Sequence, residues 1–193
     1  MPLRREIREP EPSSKRPPAP PFRVLLSLGG SSPRDVTEAV LQGLAQTTGD
    51  LRIRCLTRQP ELFSSFACPP AIGIEPLADS LREPLTWADL AILGAGSTRY
   101  EAAFLGTPAL LVLLANNQHP GRLEFEALGC ARFLRRPEAL EGEPVTAMVT
   151  ELLSSPERLV EMSRRGREVV DGKGADRIAR ELLAMDAPEE ALP

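Results

Sequence analysis

DLAILGAGSTRYEAAFLGTPALLVLL, residues 89–114, sets two apolar runs on either side of a helix-length segment. The first run, 89–93, ends in Gly94-Ala95-Gly96, and Ser97 and Thr98 then offer residues suited to opening a helix. Residues 98–105 read as that helix, and 109–114 is the strongest strand signal in the chain. Runs this continuously apolar are buried on both faces, as strands of parallel sheets are. Working outward, 81–88 and 122–128 read as helices and 131–134 as a last strand. Upstream, 24–28 is another apolar run, ending in Gly29-Gly30. After it, Val36, Ala39, Val40 and Leu44 recur at helical spacing through 33–47. Residues 51–57 alternate as a strand, 71–74 form a weaker one, and 145–153, 156–170 and 175–185 close the chain as helices. Six strands separated by helices imply an α/β fold, a Rossmann-like doubly wound parallel sheet of order 3-2-1-4-5-6. Its ligand is then expected at the carboxyl ends of strands one, four and five, where the winding reverses.

Composition bounds the function. In the 193 residues, 23 Lys and Arg stand against 27 Asp and Glu, a formal net charge of -4. Binding through a broad basic surface, to nucleic acid or to an anionic membrane, is therefore not expected. No apolar run approaches the ~18 residues of a membrane span, and the proline-rich, charged N-terminus does not read as a signal peptide. A cytoplasmic protein without a transmembrane segment is the expectation. Cys55, Cys68 and Cys130 fit neither a disulfide framework nor a zinc knuckle, so no metal and no cofactor are expected. Seven of the 20 prolines precede Phe22, in a stretch reading PEPSSKRPPAPP over 10–21. Residues 1–22 accordingly read as a linker or tail, 23–186 as the domain, and 187–193 as a disordered end.

Three loops point the same way. Gly29-Gly30-Ser31-Ser32 opens a helix whose free N–H groups favour an anion, although a tight turn would need glycine anyway. The lysine of a Walker loop is absent, and so is the dinucleotide fingerprint. In Gly94-Ala95-Gly96-Ser97-Thr98-Arg99-Tyr100-Glu101, Arg99 stands where a third glycine would be needed. Glu101 has two open readings here: it closes a capping box with Thr98, or it accepts hydrogen bonds from a sugar diol. Asn116, Asn117 and Gln118 leave the fifth strand as three successive amides, suited to neutral hydroxyl and acetamido groups or to a plain surface turn.

The stretches VLLSLGGSSPRDVTEAVLQGL, residues 24–44, and PLADSLREPLTWADLAILGAGSTRYEAAFLGTPALLVLLANNQ, residues 76–118, carry a resemblance. They resemble the C-terminal half of the PseG/SpsG-type UDP-sugar hydrolases, which share the GT-B fold with the MurG-type N-acetylglucosaminyltransferases. The segment PLRREIREP near the N-terminus is similar to the interdomain stretch of such proteins. The resemblance implies the UDP-sugar-binding domain of an enzyme that removes UDP from a 2,4-diacetamido-trideoxy hexose in polysaccharide synthesis. It implies that Gly30 and Ser31 line the diphosphate side of the cleft, that Gly96, Ser97 and Thr98 contact the diphosphate, and that Glu101 takes the ribose. Backbone at Leu77 and Ala78 would face the uracil, and Asn117 and Gln118 would reach the sugar. The family's catalytic histidine lies in an N-terminal domain, so no catalytic residue is assigned here, and an N-terminal GT-B half is the implied partner.

The residues themselves hold no nucleophile with a base: His119 is the only histidine. A different class of function therefore stands beside the hydrolase, a noncatalytic UDP-sugar-binding subunit of a two-component GT-B transferase. A third is a module that kept the fold and lost the ligand.

Overall fold

A computed structural model describes residues 2–9, 15–30, 33–66, 71–114, 124–134 and 143–185. Its core is a six-stranded parallel sheet of order β3-β2-β1-β4-β5-β6. The strands are β1 (Phe22–Ser27), β2 (Leu51–Thr57), β3 (Ile72–Pro76), β4 (Leu90–Gly94), β5 (Ala109–Val112) and β6 (Ala131–Leu134). The helices are α1 (Arg5–Arg8), α2 (Arg34–Gln46), α3 (Arg82–Trp87), α4 (Thr98–Leu105), α5 (residues 124–127), α6 (Glu143–Leu153), α7 (Pro156–Val169) and α8 (Gly174–Met185). This is the doubly wound sheet, in the strand order, that the alternation of strands and helices implies.

Alternation along each strand sorts the core into two layers. Val24 and Leu26 of β1 pack with Val36, Val40, Leu41 and Leu44 of α2 and with Val145, Val149 and Leu152 of α6. Leu25 points the other way, into a cluster with Leu85 of α3, Ala102 and Leu105 of α4 and Phe125 of α5. α2 keeps its buried stripe inward while Arg34 and Glu38 pair one turn apart on its solvent side. β5 stops at Val112, two residues before its apolar run ends, because its ladders stop there, at Gly94 opposite Val112 and Val112 opposite Leu134. Trp87, which periodicity makes a core residue, is only half-buried and lies under the guanidinium groups of Arg54 and Arg23, 5.2 Å and 6.0 Å from its ring centre.

The stretch that composition reads as a linker packs on the domain over its described residues. Ile7 is fully buried and Leu3 nearly so, both in the α3–α4 layer. Lys15 Nζ donates to the carbonyls of Leu85 and Ala88, each at 2.6 Å, and to Thr107 Oγ1 at 2.8 Å. Burial pushes the Lys15 amine down to about 7 against the opposing pull of Asp89. Arg16 Nη2 closes on Asp89 Oδ2 at 2.7 Å, and the same carboxylate oxygen accepts the Arg23 amide. Proline content conceals this docking, because a few well-placed side chains suffice to hold an extended strap. Ile7→Ala should therefore cost about 2–4 kcal/mol in a urea unfolding titration, as a core truncation does, whereas a linker residue would cost nothing.

Candidate functional site

The site grows from one topological fact. β1 and β4 are neighbours, Ser27 standing opposite Leu93, yet the helices that follow them go to opposite faces of the sheet. Their carboxyl ends therefore open a crevice. On the β1 side Gly29 has φ of 90°, a backbone conformation that L side chains rarely adopt. On the β4 side the two glycines differ. A Cβ at Gly94 would fall 2.8 Å from the Leu28 carbonyl oxygen, so this glycine serves close strand packing. Among the described residues a Cβ at Gly96 would meet nothing within 4 Å, so none of them demands glycine there. Ser97 follows with helical dihedrals, φ −63° and ψ −26°, and its side chain makes no capping hydrogen bond. Arg99 donates through Nη1 to the Ala95 carbonyl while its guanidinium lies over the rings of Tyr100 and Phe125, at 4.8 Å and 5.4 Å.

Glu101 is not a capping residue. α4 begins at Thr98 with Ser97 at the N-cap, so Glu101 stands one place beyond the position a capping box uses. Its carboxylate is 8% exposed and paired with Arg4. Arg4 Nε donates to Oε1 at 3.0 Å and Nη2 to Oε2 at 3.2 Å, while Nη1 donates to the Asp79 carbonyl at 3.1 Å. The fork holds the charge pair in one geometry, and the bonds to Glu101 raise the Arg4 guanidinium above its ordinary value. One arginine from the N-terminal segment thus ties the loop after β3 to the first turn of α4.

Beside these parts lies an open cleft of about 630 Å³. Gly30, Leu77, Ala78 and Thr98, all marked in the sequence, line it together with Gly29. Gly96 and Ser97 lead into Thr98, and Glu101 reaches the cleft wall through Arg4. Ser31, Asn117, Gln118 and His119 lie outside the described residues. Reasoning from motifs missed Pro76, Asp79 and Leu81 in the lining, and with them its two cations, Arg4 and Arg58. Arg4 sits within PLRREIREP, so a signal existed for the segment but not for the residue. Arg58 carries no motif and is marked only by following the carboxyl end of β2. No cluster of three or more metal-ligating side chains occurs among the described residues.

No family model matches the chain. Among individual proteins, the spore coat polysaccharide biosynthesis protein SpsG of Bacillus subtilis is 24% identical over 163 residues, covering 80% of this chain and 48% of its own length. A UDP-N-acetylglucosamine–N-acetylmuramyl-(pentapeptide) pyrophosphoryl-undecaprenol N-acetylglucosamine transferase from Pseudomonas fluorescens is 30% identical over 163 residues, 75% of this chain and 44% of that protein. The crystal structure of Acinetobacter baumannii MurG superposes with a TM-score of 0.73 at 20% identity, over 85% of this chain and 50% of MurG. The chain is a homologue of SpsG and of the MurG-type transferases. Its sheet and crevice are those of one Rossmann-like domain of a GT-B protein, and it spans about half the length of the relatives it matches. No helix among the described residues is long and apolar enough to cross a membrane.

In this SpsG- and MurG-related domain the Arg4–Glu101 pair is a stability element as well as a site feature. Arg4→Met keeps the aliphatic stem and leaves the Glu101 carboxylate buried without its cation. The expected cost is about 1–3 kcal/mol, read as a lower denaturation midpoint with an unchanged slope. Restoration of the wild-type midpoint in Arg4→Met/Glu101→Met would confirm that the penalty is the unpaired carboxylate.

Proposed function

We propose that the chain is the UDP-sugar-binding half of a two-domain GT-B protein, residues 23–186 forming the binding unit and residues 2–9 supplying Arg4 to it. The observation that carries this is the cleft, lined by the exposed backbone of Gly29 and Gly30 and by Thr98 of the first turn of α4, with the buried Glu101 carboxylate joined to it through Arg4. Free N–H groups at a helix start suit phosphate. Gly30, Ser31, Gly96, Ser97 and Thr98 are the proposed diphosphate contacts. The two oxygens of Glu101 offer about four acceptor sites, and Arg4 uses two, so a ribose diol can join Arg4 on the same carboxylate. The backbone of Leu77 and Ala78 forms the opposite wall, for the uracil, and Asn117 and Gln118 are assigned to the sugar.

The identity of the whole reaction would be set together with a half like the one that the relatives carry beyond the aligned region. The names of the transferases among the relatives specify UDP-N-acetylglucosamine as donor, which supports the donor-binding part of a glycosyltransferase at least as well as the hydrolase that the resemblance implies. In either case an acid or base must come from across the cleft. General acid–base help requires a group within hydrogen-bond reach of the reacting oxygen, and Glu101 is already held by Arg4.

Two measurements test this. Calorimetric titration should show UDP binding about tenfold or more tightly than UMP, since the second phosphate adds a charge-assisted hydrogen bond. Equal affinities would remove the diphosphate assignment. The pure chain incubated with UDP-N-acetylglucosamine should release no UDP above the uncatalysed background. Steady release abolished by His119→Ala would make this chain a self-sufficient enzyme and overturn the half-site reading.

A further inference from the structure

Arginines on this surface are commonly matched with acids. Arg4 is held by Glu101, Arg34 by Glu38, and Arg54 by Glu75 and Glu83. Arg58 is different: it is exposed, lines the cleft, and has no hydrogen bond or ion pair to any described residue. Its position is specific nonetheless. A Cβ built on Gly30 would fall 2.4 Å from Arg58 Nε and 2.8 Å from both Cζ and Nη2. The guanidinium therefore occupies the space that any side chain at position 30 would fill. It lies against the backbone of the loop that leads from β1 toward α2.

An unpaired guanidinium beside an exposed glycine backbone is chemically complete for one class of ligand. The planar fork of arginine matches a phosphate with two parallel N–H donors. A bare glycine lets the anion approach main chain and side chain together. The other arginine in the cleft cannot play this part without giving up a buried carboxylate, because its Nε and Nη2 donate to Glu101 and its Nη1 to the Asp79 carbonyl. We infer that Arg58 is the cation that makes this cleft select a nucleoside diphosphate over the bare nucleoside, by forking onto the phosphate that lies over Gly30. This rests on the nucleotide reading above and adds to it the residue that reads the charge.

The test compares UDP and uridine as ligands, by NMR titration, on the wild-type chain and on Arg58→Gln, Arg58→Lys and Gly30→Ala. Arg58→Gln should weaken UDP about tenfold or more, the loss of one charge-assisted contact, and leave uridine unchanged. Arg58→Lys keeps the charge and should recover part of the loss. Gly30→Ala displaces the guanidinium by a methyl group and should weaken UDP while sparing uridine. Wild-type UDP affinity should also fall more steeply with added salt than that of Arg58→Gln. Unchanged UDP affinity in Arg58→Gln overturns the assignment while leaving the nucleotide reading in place. So does an equal fold-loss for uridine, which would mean a contact to the base or a structural effect. A wild-type chain that binds no UDP overturns both.

Discussion

The parallel pairing of β1 with β4, from Val24 opposite Leu90 to Ser27 opposite Leu93, is the join on which the rest of the molecule depends. Each of these strands is buried on both faces, so each needs helices above and below it. The chain meets that need by sending the crossover after β1 to one face and the crossover after β4 to the other. Two strands side by side with their following helices parted leave a gap at their carboxyl ends. Burying the sheet and opening the cleft are thus one structural event. The close contact at Gly94, where a methyl group would strike the Leu28 carbonyl, shows how tightly the two loops are drawn together at its floor.

A second constraint acts at the edge of the cleft. α4 carries a carboxylate into an almost dry position at Glu101, and an ionised group there needs a cation with good geometry. That cation comes from the far end of the chain, 97 positions away. The N-terminal segment is accordingly held at several points: Ile7 in the apolar layer, Arg4 on Glu101, Lys15 on the carbonyls below α3, and Arg16 on Asp89. A stretch that looks like a spacer behaves as a strap, and it brings charge to the cleft that the domain's own strands and helices do not supply.

The fold was legible because its signals are local and repeated. Apolar runs of strand length, glycine at their ends and helical stripes between them recur across the chain, and the order of the strands then follows from the handedness of crossovers. The boundaries moved with the pairing: β5 stops at Val112 where its ladders stop, whereas β1 begins at Phe22 and β3 runs on to Pro76 because Leu51 and Thr57 stand opposite them. Part of the cleft lining was legible for the same reason. Gly30, Leu77, Ala78 and Thr98 converge on one cleft because they stand at the carboxyl ends of strands or the start of a helix, which the strand order alone brings together. Arg58, and Arg4 as the partner of Glu101, were not legible, since nothing in the spacing of residues records which distant side chain fills a given space.

The sequence by itself determined the doubly wound sheet and its strand order, and with them which loops stand at the carboxyl ends of the strands. Those follow from periodicity and chirality, which act over a few residues or apply to every right-handed crossover. Only the tertiary structure decided that Glu101 is an ion-pair acceptor and not a cap, that Gly94 packs while no described atom crowds Gly96, and that Arg4 of the N-terminal segment lines the cleft. Each of these is a matter of whether a particular atom has a neighbour at 3 Å or empty space. That depends on residues tens of positions apart meeting in a packed core, and no local rule encodes it.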